Sequence, residues 1–310
     1  MDRDENWRAR IEAARERIAG RARVTPVTRL VLGGHEVEVK LEHMQHTGSF
    51  KVRGAFETLL SSEVPPAGVV AASGGNHGAA VAYAAASLGH PAHVFVPEVA
   101  GPSKIALIRR AGAACHVVPG LYADALEAAR AHEAETGAMG VHAYDAPATV
   151  AGQGTCAAEW EAQGLEADTV LIAVGGGGLI AGALAWLGGR RRVVAVEPER
   201  SRALHAALEA GGPVDVEVGG VAANALGARR VGAICWKLAR GAGDGLESVL
   251  VEDDAIVSAQ RLLWQEARQW VEPAGACALA ALLSGAYRPP SGERVAVLLC
   301  GANPAPDPSL

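Results

Sequence analysis

The sequence predicts an α/β chain built on two open parallel sheets. Three observations carry that reading. Short β-rich apolar runs alternate with Ala-rich helical stretches, the alternation starts afresh after Tyr144, and apolar residues (50% of the chain against 20% charged) suffice for two linked cores. Repeated strand–helix–strand units require parallel strands covered by helices.

Trp7 to Ala19 places Ile11, Ala14, Arg15 and Ile18 at helical spacing and predicts an amphipathic helix. Val24 to Leu30 reads as an extended linker broken by Pro26. In Glu36 to Glu42, Val37, Val39 and Leu41 alternate with charged residues, as in a strand with one wet face. A loop spans His43 to Ser49, with a helix expected from Lys51; His43 to His46 is either an exposed loop or a segment that tunes substrate choice. The first series then runs strand Val69–Ala72, helix Asn76–Leu88, strand Ala92–Val96, helix Ser103–Ala111, strand Cys115–Val118, helix Tyr122–Thr136. The second runs helix Gly152–Gln163, strand Thr169–Val174, helix Leu179–Leu187, strand Arg192–Val196, helix Ser201–Ala210. A helix near Asp254–Trp270, an Ala-rich helix from Pro273 to Leu283 and a strand Val295–Cys300 close the chain, and Pro304–Leu310, with three prolines, is expected to be a short irregular end.

Composition excludes several classes. Lys+Arg 28 against Asp+Glu 34, without a dense basic run, argues against nucleic acid. No apolar run is long enough to span a membrane, and the charged start is unlike a signal peptide, so a soluble cytoplasmic protein is expected. The five cysteines are scattered, with no CxxC pair, which indicates neither a disulfide framework nor a zinc site. Only four lysines occur: Lys40, Lys51, Lys104 and Lys237.

In an open parallel sheet, ligands bind beyond the carboxyl ends of strands, and four such loops stand out. Gly175-Gly176-Gly177-Gly178-Leu179 opens a helix with unshielded N–H groups, suited to a phosphate; a tight turn or a dinucleotide site with Glu197 are the competing readings. Ser73-Gly74-Gly75-Asn76-His77-Gly78 either caps its helix or presents donors to a carboxylate, and His77 alone reads more readily as structural. Lys51 stands at a helix N-terminus, where the dipole disfavours a cation and favours a nucleophilic amine, although a surface ion pair is the commoner fate of a lone lysine. Cys300 ends the last strand, where a cysteine usually packs as a small apolar group.

In order, SFKVRGA, SGGNHG, VGGGGLIAG, VEP, EPAGA and CGAN resemble the pyridoxal-phosphate enzymes of the tryptophan synthase β-like fold (fold type II), within them the threonine/serine dehydratase and serine racemase group. The resemblance spans about 25–303. It implies a small domain, 45–143, inserted into a large domain made of 1–44 and 144–310. It implies that Lys51 holds pyridoxal 5'-phosphate as a Schiff base, that Phe50 lies against the ring and Asn76 bonds the ring 3-oxygen, and that Gly175, Gly176, Gly177, Gly178 and Leu179 take the phosphate. It further implies that Cys300 faces the pyridine nitrogen and that the loop from Ser73 takes the substrate carboxylate. The implied reaction is loss of water from L-threonine, L-serine or a related 3-hydroxy amino acid, Lys51 removing the α-proton, to give a 2-oxo acid and ammonia.

Two departures narrow this. Racemases of the group carry a second serine where this chain has Gly74, so dehydration is favoured over racemisation. The racemase-like members have an Asp-Gly where this chain reads Val218-Gly219-Gly220-Val221, so no metal is expected there, although Glu197, Asp215 and Glu217 lie nearby in sequence. A homodimer is expected from the resemblance. The alternatives are another fold type II enzyme (a racemase, a β-replacement synthase or a pathway-specific deaminase) and a phosphate-binding module that leaves Lys51 without a role.

Overall fold

The structure, a computed structural model, describes residues 6–303; the irregular end expected over 304–310 lies outside the described residues. Its strands sort into two sheets. The elements are α1 (Trp7–Arg17), β1 (Val27–Leu32), β2 (His35–Lys40), α2 (Lys51–Leu60), β3 (Val69–Ala72), α3 (Asn76–Leu88), β4 (Ala92–Pro97), α4 (Pro102–Arg110), β5 (Ala114–Val118), α5 (Tyr122–Thr136) and β6 (Met139–Gly140). There follow α6 (Pro147–Ala162), β7 (Thr169–Ala173), α7 (Gly178–Leu187), β8 (Arg192–Pro198), α8 (Ala203–Ala210), α9 (Ala223–Leu226), α10 (Ala233–Ala242), β9 (Leu246–Val251), α11 (Asp253–Ala267), α12 (Pro273–Ser284) and β10 (Val295–Leu298). One sheet has the order β5-β4-β3-β6 and is parallel throughout. The other has the order β1-β2-β10-β7-β8-β9 and is parallel except for the β1–β2 pair.

That pair corrects two expectations. The segment read as an extended linker, Val24 to Leu30, supplies the first part of β1, which pairs antiparallel with β2 across Gly33-Gly34, both at positive φ (55° and 85°). Two left-handed residues between facing strands are the tight hairpin turn that matches strand twist, and only glycine takes that geometry without strain. The wet face expected of Glu36 to Glu42 is also reduced to Glu36 alone. Glu38, Lys40 and Glu42 are buried, because β2 lies between β1 and β10 and α6 covers its charged side. Trp160 Nε1 donates to Glu38 Oε1 at 2.6 Å, and Lys40 Nζ donates to Glu159 Oε1 and Gln163 Oε1, each at 2.6 Å. Charges can be buried here because each has a partner.

The alternation rule misses elements too. β9 and α10 occupy a stretch with no predicted structure, and β6 is only two residues long. Helices α6 and α7 pack backbone to backbone: a Cβ on Gly182 would lie 2.4 Å from Gly154 N, so the small residues of GQG and LIAG are what let them meet. The larger core gathers α1, α6, α7, α12 and the six-stranded sheet, while separate apolar clusters line the four-stranded one. The loops after β3, β7 and β10 are the site's raw material.

Candidate active site

The lysine loop is tied to the end of β10. Ser49 bridges to Gly301, and Phe50 N donates to Cys300 O at 3.2 Å. Lys51 then opens α2, its Nζ donating to Ala143 O at 2.7 Å and lying 5.1 Å from the centre of the Phe50 ring. Burial of the ammonium pulls the Lys51 pKa down to about 8, so about a tenth of the amine is neutral at pH 7, far more than for a free lysine. A neutral amine is both nucleophile and base. Just upstream, Thr47 has φ 59°, a costly conformation for a β-branched residue, and is pinned by Asn303 Nδ2 donating to its carbonyl. The loop His43 to Ser49 is clamped rather than free: Gln45 is buried against the Arg23 backbone and His46 stacks on Tyr83.

The loop after β3 comes to the same place. Ser73 Oγ accepts from Gly75 N at 3.2 Å, while Asn76 Nδ2 donates to Glu272 Oε1 at 2.5 Å. Asn76 Oδ1 is buried without a partner, as is Ser49 Oγ. His77 is structural: its Nε2 donates to Val141 O at 2.8 Å, and burial, with Lys51 nearby, pushes its pKa down to about 3 and keeps it neutral. Gly74 has no room for a side chain, since a Cβ there would lie 2.5 Å from Ala100 Cβ and 3.2 Å from Val96 Cγ1.

The glycine run follows β7. Gly175, Gly176 and Gly177 donate their N–H groups to no other backbone group among the described residues, and α7 begins at Gly178. Each glycine is also required sterically. A Cβ on Gly175 would lie 2.8 Å from Leu226 Cα, on Gly176 2.3 Å from the Tyr144 ring, and on Gly178 2.9 Å from Tyr144 Cα; Gly177 has φ 93° and abuts Cys235 Sγ. The tight-turn and anion-cradle readings are thus compatible: close packing leaves bare N–H groups at a helix N-terminus. Tyr144 follows Ala143, whose carbonyl holds Lys51, so the glycine run and the lysine share one support.

Cys300 is buried and its Sγ donates to Ala274 O at 3.4 Å; burial and the Glu272 charge hold its pKa well above that of an ordinary thiol, so it stays neutral. Glu197, the acidic residue of the dinucleotide alternative, instead accepts from Leu204 N and His205 N at 2.9 and 2.7 Å, anchoring the start of α8. Asp215 pairs with exposed Arg230 at 2.7 Å. Among the described residues no three His, Cys, Asp or Glu side chains gather as metal ligands would. Sequence reasoning passed over Ala143, Tyr144, Gly301 and Glu272, although Glu272 opens the quoted EPAGA. Taken together, a buried amine, an aromatic face, unused N–H groups at a helix start and an orphaned amide oxygen fit a flat aldehyde-bearing phosphate.

The model of the pyridoxal-phosphate dependent enzyme family matches residues 18–301. The chain belongs to that family. This pyridoxal-phosphate enzyme is 38% identical over 302 residues to phenylserine dehydratase of Ralstonia pickettii, covering 94% of this chain and 92% of that one. Among solved structures it is similar to a threonine deaminase from T.th. (TM-score 0.85, 37% identity, 94% of this chain and 97% of that chain). It is similar also to maize serine racemase (TM-score 0.89, 30% identity, 95% and 93%). The fold is therefore the tryptophan synthase β-like fold of those enzymes.

Proposed function

We propose that this enzyme is a dehydratase, an ammonia-lyase that converts L-threonine, L-serine or a related 3-hydroxy amino acid to a 2-oxo acid and ammonia. The observation that carries the reading is Lys51: a buried amine of lowered pKa beside the Phe50 ring, at the start of α2. The names of relatives point the same way, to dehydration or deamination of hydroxy amino acids.

When bound, pyridoxal phosphate supplies an aldehyde for a lysine amine to condense with and a ring that draws electrons from the amino acid's Cα–H bond. The protein's own residues do the rest. Lys51 Nζ, as the neutral amine, would take the α-proton and return one to the departing β-hydroxyl. The N–H groups of Gly175 to Leu179 would hold the phosphate, Asn76 the ring 3-oxygen and Phe50 the ring face. Ser73 and its neighbours take the substrate carboxylate. Cys300, a thiol that stays neutral, would meet the ring nitrogen without keeping it protonated as an aspartate would, which would favour elimination over other carbanion chemistry. Gly74 supports dehydration over racemisation, because an acid on the opposite face has no space beside Ala100.

The proposal includes the division into domains 45–143 and 1–44 plus 144–310, a homodimer, and a cytoplasmic setting. Five unpaired cysteines, four of them buried, suit a reducing compartment. The test is the visible absorbance of protein loaded with pyridoxal phosphate, compared with Lys51→Ala, followed by oxo-acid and ammonia assays with L-threonine and L-serine. A band that the substitution abolishes, together with oxo acid, supports the reading. A band with neither product sends the specificity elsewhere in the fold type, and a colourless protein that cannot be loaded overturns it.

A further inference from the structure

Glu272 precedes α12, and its carboxyl is buried (4% exposed) where three strand-end loops meet. Asn76 Nδ2 donates to its Oε1 at 2.5 Å. Gly301 passes so close that a Cβ there would lie 2.3 Å from that oxygen, 3.3 Å from Asn76 Nδ2 and 3.3 Å from Ser49 Cβ. Lys104, from α4, is the cation that favours ionised Glu272; the Cys300 thiol, from the loop after β10, faces the same carboxyl, and the Asn303 backbone donates to it.

An Asn amide has one donor end and one acceptor end of nearly the same shape, so half a turn exchanges them. A carboxylate only accepts: it engages Nδ2 and leaves Oδ1 facing the site, which is the arrangement seen, with Oδ1 orphaned. A carboxylic acid can donate to Oδ1 and release Nδ2. The 3-oxygen of pyridoxal phosphate is an anionic acceptor, so it requires Nδ2 and repels Oδ1.

Resting on the function proposed above, we propose that Glu272 is a positioning residue that acts through Asn76. As an acid it turns the amide donor toward the cofactor oxygen, and as a carboxylate it takes that donor away. Burial lifts the Glu272 pKa to about 7, so the exchange falls near neutrality and cofactor binding tightens as the proton is gained. Lys51 titrates in the opposite sense, since condensation with the aldehyde needs the neutral amine. A glutamine at 272 separates the two, because it does not titrate and its NH2 group is able to donate to Oδ1 at every pH, leaving Nδ2 for the cofactor oxygen.

The experiment is titration of the full-length apoprotein with pyridoxal phosphate at about pH 6 and about pH 9, for wild type, Glu272→Gln and Glu272→Ala. Relative to Glu272→Gln, wild type is expected to lose roughly tenfold in affinity at the higher pH, and Glu272→Ala to bind roughly tenfold more weakly than Glu272→Gln at both. Parallel wild-type and Glu272→Gln curves overturn the role of Glu272 and leave the function standing. If no variant, wild type included, binds the cofactor, the function fails and this role with it. Infrared difference spectra of wild type need no variant: loading at about pH 8 should raise the carbonyl stretch of a protonated carboxyl, and its absence overturns the proposal.

Discussion

At the lysine end of the site α2 is held by charge, whereas at the glycine end the loop after β7 is held by the absence of side chains. Two residues after Lys51, Arg53 is buried and donates through Nε to Glu42 Oε1 at 2.6 Å and through Nη1 to Glu159 Oε2 at 3.0 Å. Lys40 shares Glu159, and Thr25 Oγ1 donates to Glu42 Oε2 at 2.7 Å. This cluster joins β2, α2 and α6, so the start of α2 is fixed relative to the six-stranded sheet. At the other end, Tyr144, Leu226 and Cys235 close directly over glycine backbone. Charge fixes position at the cost of requiring every partner; close packing fixes it at the cost of permitting no Cβ.

The largest effect expected follows from the charged end. Arg53→Ala leaves Glu42 and Glu159 short of a partner in the interior, and should destabilise the fold by about 3–5 kcal/mol in denaturant unfolding. An unfolding midpoint within error of wild type would mean that water reaches the cluster and that charge does not hold this end.

At the glycine end the expected loss is smaller and separable. Gly176→Ala should cost about 1–3 kcal/mol of stability and weaken pyridoxal phosphate binding, because its Cβ meets the Tyr144 ring. Removing that ring with Tyr144→Ala should restore most of the loss. Gly178→Ala meets Tyr144 backbone instead, so the same second change should not rescue it. Equal rescue in both pairs, measured by cofactor titration and thermal melts, would refute the steric account.

The contrast also explains what could be read from sequence. Gly175 to Gly178 announce themselves, because a backbone that must approach other atoms closely needs glycine and nothing else. Lys51 draws attention by its place at a helix start and its rarity, but residue reasoning alone favours a surface ion pair, and only the family resemblance gives it a role. The pairing of Asn76 with Glu272 was not, since 196 positions separate them and a buried carboxylate looks in sequence like any surface one. For the same reason Glu38 and Lys40 were read as a wet face, when their partners Trp160, Glu159 and Gln163 lie on α6 or just past its end. β1 was hidden by Pro26 although Gly33-Gly34 marks its hairpin, and β9, an edge strand of half-buried residues, lacks a clean alternation. Periodicity reports burial against the nearest layer; it does not report which charge meets which.

The smallest effect concerns Lys51 as a burden on the empty fold. Its folded pKa, about 8, lies below the value near 10.5 of a free lysine, so the native apoprotein binds this proton less readily than the unfolded chain does. The penalty is therefore complete below about pH 8 and fades as pH rises toward the unfolded value. Lys51→Met removes the charge while keeping an unbranched stem, but also loses the bond from Nζ to Ala143 O, which offsets most of the roughly 3 kcal/mol that the shift represents; it should stabilise the apoprotein by about 1 kcal/mol at neutral pH, the advantage shrinking as pH rises from about 8 toward 10.5. Chemical unfolding of both apoproteins across that range checks it. A gap that stays constant with pH would trace the gain to packing rather than charge. A destabilised Lys51→Met would show that the bond from Nζ to Ala143 O, and not only the amine's chemistry, supports the lysine end.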